Sequence, residues 1–175
     1  IEQTGGSGMV VPGRGFLLNN ELTDFSTVWS ADDPNRLEPG KRPRSSMSPT
    51  IVLRRGKPYL ALGTPGGSTI ITTVLQTLVN RVDLGMSLPQ AVAAPRGSLR
   101  NTAAVTAEQA FIDAYGAGLT PYGYTFTAAG APGTSAVEIG AVAALEFRKG
   151  GVVQAVAEPV RRGGGAAGVV QPARR

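Results

Sequence analysis

The chain has 175 residues, 42% of them hydrophobic, and a formal net charge of +5 at pH 7, so it is long enough to bury a core as a single domain. It contains neither cysteine nor histidine, which excludes disulfides, thiol chemistry and a Ser-His-Asp triad within the chain. Its apolar runs are too short to cross a bilayer, and cysteine usage leaves the compartment open.

The positive charge gives little support to nucleic-acid binding. Part of the excess lies near or in a glycine-rich end, at Arg161, Arg162, Arg174 and Arg175. Aromatic residues make up only 6% of the chain and do not alternate with the basic ones. A nucleic-acid surface needs stacking or groove-reading elements beside its charge. We therefore interpret the excess as surface charge and expect no nucleic-acid partner.

The first third of the chain predicts short strands and one long loop. Two apolar strands, residues 9–11 and 16–18, flank the turn PGRG. Residues 26–44 lack any periodicity, and a long ordered loop of this kind is often functional. Residues 50–53 and 59–63 are rich in β-formers on either side of a basic turn, which predicts a hairpin.

Apolar residues at helical spacing predict the longest helix, over residues 68–84. They form one face, consisting of Ile70, Ile71, Val74, Leu75, Leu78, Val79 and Val82. Ser68 is the expected N-cap, and Gly85 is expected to end the helix.

The second half of the chain predicts two shorter helices and three strands. One helix is expected over residues 87–94, closed before Pro95. Another is expected over 107–115, where Thr106 and Gln109 fit a capping box. The expected strands are residues 124–127, 140–147 and 152–157.

The order of these elements predicts an α+β fold, with hairpin-connected antiparallel strands packed on a helical layer. No internal repeat is visible in the sequence. We expect one domain over residues 1–162 and a flexible glycine- and arginine-rich end over residues 163–175.

The stretch LGTPGGST places two glycines between a predicted strand and the longest helix. Pro65 fixes one φ angle, while Gly66 and Gly67 allow close main-chain approach where unpaired N–H groups gather. Such a cluster stabilises an anion or a developing oxyanion. No lysine follows the glycines, so the stretch is not a P-loop. A simple strand-to-helix turn is the alternative, and the local pattern fits both.

Two polar stretches are candidate substrate ligands. In RPRSSMSPT, the hydroxyls of Ser45 and Ser46 can hold a carboxylate, assisted by the charge of neighbouring arginines. In LLNNELTDF, Glu21 and Asp24 can hold an ammonium group or take part in proton transfer. Taken alone, each stretch is better interpreted as a polar turn. No regular ligand spacing indicates a metal, and we expect neither a metal nor a cofactor.

Together the three sites suit one kind of substrate. A carboxylate ligand, an ammonium ligand and an oxyanion stabiliser describe an amino-acid-like acyl group, such as γ-glutamyl. No serine has a histidine to activate it, so the remaining route is an N-terminal Thr, Ser or Cys whose own amine acts as base. The chain begins with Ile1, and the nucleophile is therefore expected upstream.

Four motifs follow one another along the chain as far as Arg96: GSGMVVPGRGFLLNNELTDF, EPGKRPRSSMSPTIVL, LGTPGGSTIITTVLQ and MSLPQAVAAPR. In this order they closely resemble the small, catalytic subunit of the gamma-glutamyltransferase family, and the ending EPVRRGGGAAGVV resembles it more weakly. The resemblance implies an N-terminal-nucleophile hydrolase fold, a four-layer αββα sandwich. It also implies a precursor that cuts itself and exposes a nucleophilic Thr.

The same resemblance implies an activity and a role for each candidate residue. The family moves the γ-glutamyl group of glutathione or a related donor to water, an amino acid or a peptide, through a γ-glutamyl-enzyme intermediate. By position in the motifs, Glu21 and Asp24 match the residues that bind the donor's α-amino group. Ser45-Ser46 matches the pair that holds its α-carboxylate, and Gly66-Gly67 matches the oxyanion hole.

The resemblance places the nucleophilic Thr upstream of Ile1, so the chain alone is expected to be inactive. The expected partner is the large subunit of the same precursor. Family members are often exported, whereas this sequence leaves the compartment unknown. Two alternatives stay open: a cephalosporin or glutaryl acylase of the same fold, and a non-catalytic γ-glutamyl-binding homologue. Glu21 and Asp24 argue against the acylase, because its substrates have no α-amino group to bind.

Overall fold

The computed structural model describes residues 7–100, 102–131 and 138–168, which form two compact units, residues 7–47 and 48–168. Irregular structure predominates in the first unit, whereas helices and sheets build the second. None of the helices within these ranges has the length and apolar character needed to span a membrane.

The first unit consists mainly of turns and loops. A single antiparallel bridge joins Val10 to Leu17, so the two predicted strands meet without forming a longer ladder. A 3-10 helix follows at Glu21–Asp24. Residues 26–44 contain neither helix nor strand, which confirms the predicted long loop.

Two sheets form in the second unit. The strands, in chain order, are β1 (Thr50–Arg54), β2 (Lys57–Gly63), β3 (Gly97–Ser98), β4 (Val105–Ala107), β5 (Phe126–Ala128), β6 (Ala143–Phe147) and β7 (Val153–Ala157). The larger sheet has the order β1-β2-β6-β7 with antiparallel neighbours throughout. In the smaller sheet, β4 pairs antiparallel with β3 and parallel with β5. The predicted hairpin and the three later strands are confirmed, whereas β3 and β4 escaped the sequence prediction.

The turn of the β1–β2 hairpin explains its basic sequence. Arg54 pairs with Lys57, which leaves Arg55 and Gly56 as the two turn residues. Their φ angles are 53° and 75°. Two positive φ values give the turn that matches the right-handed twist of a hairpin, so this sequence closes the hairpin at that point.

Three α-helices lie in the described part of the second unit: α1 (Ile70–Val82), α2 (Leu88–Ala93) and α3 (Gln109–Leu119). Helix α2 follows its N-cap Ser87 and ends before Pro95, as predicted; a capping box between Ser87 and Gln90, which was not predicted from the sequence, begins it. Helix α1 is preceded by a 3-10 turn at Gly67–Thr69. The predicted N-cap is therefore wrong, because Ser68 lies within that turn and Thr69 occupies the N-cap position.

The third helix begins later than the sequence predicts. Thr106 lies in β4 and forms no capping box with Gln109. Pairing with β5 takes precedence, since Val105 N–H donates to Thr125 O and Ala129 N–H donates to Ala107 O, both at 2.8 Å. Glu108 becomes the N-cap residue, with its carboxylate directed to groups outside the helix.

The main core lies between the larger sheet and helices α1 and α2. Its buried residues are Tyr59, Leu60, Leu62, Ile70, Val74, Leu88, Val92, Val142 and Ala144. The predicted apolar face of α1 is only partly buried, because Thr73 and Thr77 share the inner face while Ile71 and Leu75 are exposed. The hydroxyls of Thr73 and Thr77 donate to the carbonyls four residues earlier, at 2.9 and 2.8 Å. These bonds satisfy both hydroxyls, which allows their burial.

The other face of the larger sheet is apolar and exposed. Its large exposed side chains are Ile51, Leu53, Leu145, Phe147 and Val153. An exposed apolar patch of this kind is typical of a surface that packs against another element.

Candidate active site

The turn between β2 and α1 carries Gly66 and Gly67. Their φ angles are 148° and 53°, both in the region that favours glycine. A Cβ atom at Gly66 would lie 2.7 Å from Thr69 Oγ1. The Thr69 hydroxyl and N–H both donate to Gly66 O, at 2.9 and 3.1 Å. The turn is therefore held tightly and has no space for a side chain at Gly66.

The geometry of this turn suits a developing negative charge. The first helical hydrogen bonds run to the carbonyls of Gly66 and Gly67, so the N–H groups of these glycines have no carbonyl partner within the helix. The positive end of the α1 dipole lies at the same place. Preorganised N–H donors of this kind stabilise an oxyanion.

An arginine that sequence reasoning missed lies beside this turn. The guanidinium of Arg100 donates to Ser68 Oγ, which brings a positive charge next to Gly67. The two residues are 32 positions apart, and no local pattern in the sequence indicates their contact.

The acidic turn at Glu21–Asp24 belongs to the first unit. The N–H of Glu21 donates to Asn19 Oδ1 at 3.1 Å, and the Thr23 hydroxyl donates to Asn20 O at 2.7 Å. These two asparagines therefore fix the turn. Both Glu21 and Asp24 are half-buried.

Asn35 links this acidic turn to the segment that carries the serine pair. Its side chain is buried, and its Nδ2 donates to Asp24 O at 2.7 Å. Its Oδ1 accepts the N–H of Arg44 at 2.9 Å. One amide thus joins the end of the acidic turn to the residue directly before Ser45. The structure brings these two predicted ligand segments together within the first unit.

Asn35 was not among the residues singled out from the sequence. The available signal was its place in a long aperiodic loop, between Asp33 and Arg36. The Asn35 N–H donates to Asp33 Oδ1 at 2.7 Å. A hydrogen bond from Ser26, followed by that from Asn35, lowers the pKa of Asp33 below its ordinary value. Asp33 is therefore ionised at neutral pH and holds the loop in place.

The serine pair is accessible. Ser45 is exposed and Ser46 is half-buried. Ser45 Oγ accepts the N–H of Met47 at 3.3 Å, which leaves its hydroxyl hydrogen free to donate to a carboxylate. The roles predicted for the serines, Glu21 and Asp24 remain predictions, as does the role of Gly66 and Gly67 in the second unit.

Metal ligands are not assembled in the described ranges. Among residues 7–100, 102–131 and 138–168, no group of three or more Asp, Glu, His or Cys side chains could hold a metal ion. The predicted division at residue 162 also stays a prediction. Gly164 and Gly165 donate main-chain hydrogen bonds to Arg161 O and Glu158 O, at 3.1 and 2.7 Å, and residues 169–175 lie outside the described part.

Comparison with known proteins decides the family. The sequence profile described as gamma-glutamyltranspeptidase matches residues 1–168 of the chain. The chain belongs to the gamma-glutamyltranspeptidase family. Its α+β fold is the small-subunit part of the N-terminal-nucleophile αββα sandwich found in solved members. The described residues of the second unit contribute one helical layer and the four-stranded sheet to that fold.

Curated gamma-glutamyltranspeptidase relatives are longer than this chain. The glutathione hydrolase proenzyme of Bacillus subtilis (strain 168) is 39% identical over 164 residues, which cover 93% of this chain and 27% of the relative. The glutathione hydrolase proenzyme of Pseudomonas aeruginosa is 54% identical over 99 residues, 52% of this chain and 18% of the relative. The chain thus spans about a quarter of the length of the first relative.

Solved structures agree with this assignment. The gamma-glutamyltranspeptidase of Pseudomonas nitroreducens, complexed with L-DON, is 37% identical with a TM-score of 0.74, over 94% of this chain and 87% of that chain. A cephalosporin acylase from Bacillus halodurans has a TM-score of 0.76 but only 27% identity, over 95% of this chain and 30% of that chain. The fold is common to both, whereas sequence identity is higher with the gamma-glutamyltranspeptidase.

Proposed function

We propose that this chain is part of a gamma-glutamyltransferase and glutathione hydrolase. The complete protein would move the γ-glutamyl group of glutathione or a related donor to water, an amino acid or a peptide. The observation that carries this proposal is the Asn35 amide, which joins the acidic turn to the serine segment. A γ-glutamyl donor has an ammonium and a carboxylate on the same carbon, so ligands for the two charges must lie close together.

Each predicted residue then has a distinct role. Glu21 and Asp24 bind the α-amino group of the donor, because their carboxylates complement its positive charge. The hydroxyls of Ser45 and Ser46 hold the α-carboxylate by hydrogen bonds.

The second unit supplies the stabilisation of charge. The N–H groups of Gly66-Gly67 stabilise the oxyanion that forms when the acyl carbon is attacked. The attacking group is a Thr that the family resemblance places upstream of Ile1, and its own amine acts as the base. Attack by the Thr oxygen forms a γ-glutamyl ester and breaks the donor's γ-amide bond, whose amine leaves with the proton taken from the Thr hydroxyl. Water or an amine acceptor then attacks the ester, which transfers the γ-glutamyl group and restores the Thr hydroxyl.

Asp24→Asn tests the substrate assignment in the complete protein. The change removes the negative charge and nearly preserves the shape of the side chain. We expect kcat/KM for release of aniline from a γ-glutamyl anilide to fall at least tenfold, which corresponds roughly to the free energy of one hydrogen bond to a charged group. A glutaryl anilide, which lacks the amino group, serves as the control and should be unaffected. If the wild-type protein turned over both anilides equally, and Asp24→Asn changed neither rate, the protein would instead be an acylase of the kind found in Bacillus halodurans.

The exposed face of the larger sheet supports a second subunit. Ile51 and Leu53 lie on this face at an edge strand, and Leu145 lies near its centre. Covering such a face removes apolar area from water and is favourable. We propose that it packs against the large subunit from the same precursor. Size-exclusion chromatography of the processed protein should give one heterodimer, and subunits that elute separately would contradict this arrangement.

A further inference from the structure

Three buried charged side chains and the half-buried Glu108 form an ion cluster in the second unit, which consists of Arg96, Glu108, Glu158 and Arg161. Arg96 Nη2 and Arg161 Nη1 both contact the carboxylate of Glu158 at 2.9 Å. The guanidinium of Arg161 also binds Glu108 with two bonds, of 2.6 and 2.7 Å. Arg96, Glu158 and Arg161 are each no more than 5% exposed. The cluster contains two positive and two negative charges and is neutral as a whole.

Both carboxylates in the ion cluster are ionised at neutral pH. Burial raises the pKa of Glu158, but the charges of Arg96 and Arg161 outweigh it and bring that pKa below its ordinary value. Burial likewise raises the pKa of Glu108, and the hydrogen bonds from Arg161 and from the N–H groups of Ile139 and Arg96 reverse the effect. A buried ion cluster gives little net stability compared with apolar residues of similar volume, so its presence calls for another explanation.

The ion cluster holds two main-chain segments: the end of α2, where its arginines donate to Val92 O and Ala94 O, and residues 139–142. Arg96 Nη1 donates to Ile139 O at 2.7 Å, and the N–H of Ile139 donates to Glu108 Oε1 at 3.1 Å. At the other end, the N–H of Val142 donates to Glu158 Oε2 at 3.2 Å. Three of the four charged residues therefore hold the two ends of the 139–142 segment by hydrogen bonds.

The middle of the same segment packs against the turn at Gly66-Gly67. Gly140 has a φ angle of 70°, and its Cα lies 3.5 Å from the position that a Cβ of Gly66 would occupy. The N–H of Ala141 donates to Thr64 Oγ1 at 2.8 Å, and the Thr64 hydroxyl donates to Pro65 O at 2.7 Å. The segment thus supports the turn by packing and by a hydrogen bond.

We propose that the ion cluster positions the oxyanion-stabilising N–H groups of Gly66-Gly67, acting through residues 139–142. The inference rests on the proposed function of that turn. The four charged residues contact neither the reacting atoms nor the donor; they fix the segment that fixes the turn. Their effect should therefore appear in the rate of the chemical step rather than in donor binding, whose ligands lie in the first unit.

Glu158→Gln is the main test, made in the complete protein with active sites counted by a covalent γ-glutamyl analogue. The change loosens the hold on Val142 while preserving the size of the side chain. We expect kcat per active site for a γ-glutamyl anilide to fall about 10- to 100-fold, somewhat less than the loss of one whole oxyanion donor. KM should stay within about twofold, because a change confined to transition-state interactions leaves ground-state binding intact.

Glu146→Gln is the matched control. Glu146 is also a buried glutamate of the second unit, 4% exposed, but it pairs with Arg81 at 2.5 Å and with Arg148. The substitution removes the same charge from a glutamate of equal exposure, whose arginine partners are more exposed and which does not hold residues 139–142. We expect lower stability in both variants and an unchanged kcat in Glu146→Gln alone. Equal losses of kcat in the two variants would overturn the proposal.

Thr64→Val provides an independent test of the proposal if Glu158→Gln fails to fold. This variant removes the acceptor of the Ala141 N–H, leaves the ion cluster intact and should show the same selective loss of kcat. Wild-type kcat in Thr64→Val would overturn the proposal. If the wild-type protein turns over no γ-glutamyl donor, the proposed function fails instead. In that case amide hydrogen exchange at Gly66 and Gly67 tests whether the ion cluster positions the turn. Exchange should be faster in Glu158→Gln than in Glu146→Gln, and equal exchange rates would overturn the proposal.

Discussion

Asn35→Ala removes a buried side chain that bridges the acidic turn and the serine segment. Two of its hydrogen bonds are short, 2.7 Å to Asp24 O and 2.9 Å from the Arg44 N–H, and a third, to Ser26 Oγ, is 3.3 Å. At about 0.5–1.5 kcal/mol for each short bond, their loss costs about 1–3 kcal/mol. Since about 1.4 kcal/mol corresponds to a factor of ten, we expect kcat/KM to fall roughly 5- to 150-fold.

Steady-state kinetics with a γ-glutamyl anilide measures this effect. The loss should appear mainly in KM, because Asn35 supports ligands of the donor and not the oxyanion turn. Asn35→Asp keeps an acceptor for the Arg44 N–H but has no donor for Asp24 O, so it isolates one half of the bridge. Asn80→Ala, at another buried asparagine, controls for a general loss of stability. An Asn35→Ala enzyme with a lower Tm but wild-type KM would refute this reasoning.

Two further predictions concern the second unit. Gly66→Ala places a Cβ atom 2.7 Å from Thr69 Oγ1 at a residue whose φ angle is 148°. Because the turn must shift and displace its N–H donors, kcat should fall at least roughly tenfold. An unchanged kcat would exclude this turn as the oxyanion site. The hydrogen bond from Arg81 holds the pKa of Glu146 below its ordinary value despite burial. This carboxylate therefore stabilises the fold above its unfolded pKa, about 4.3, and the contribution is lost as pH falls through its lower folded pKa. Urea midpoints measured below pH 5 should consequently decline more steeply in wild type than in Glu146→Gln, and parallel declines would show that the Arg81 pair contributes nothing.

Local sequence signals predicted the elements whose conformation is set by neighbouring residues. The β1–β2 hairpin follows from Arg55-Gly56 between two β-rich runs, and the end of α2 follows from Pro95. The buried face of α1 was harder to predict because threonine counts as polar in any hydropathy pattern. Within a helix its hydroxyl can bond to the carbonyl four residues earlier, so Thr73 and Thr77 are buried at little cost.

The features that the sequence did not predict depend on contacts between distant positions. Glu108 and Arg161 are 53 positions apart, and Arg96 and Glu158 are 62 positions apart, so no periodicity or motif joins them. The third helix was predicted too early for the same reason, since the pairing of β4 with β5 is not visible in a local capping pattern. The Gly66-Gly67 turn could be recognised from the sequence, whereas residues 139–142, which support that turn, could not.

The basic hairpin turn has a consequence for the behaviour of the chain in solution. Strand β1 lies at an edge of the larger sheet with Ile51 and Leu53 exposed, and an exposed apolar edge strand is a template for aggregation. Its end is flanked by Arg54, Arg55 and Lys57. Positive side chains at this position act as gatekeepers, because a second copy docking edge to edge would bring like charges together. Part of the basic charge of the chain thus lies where it disfavours edge-to-edge pairing of two copies along β1.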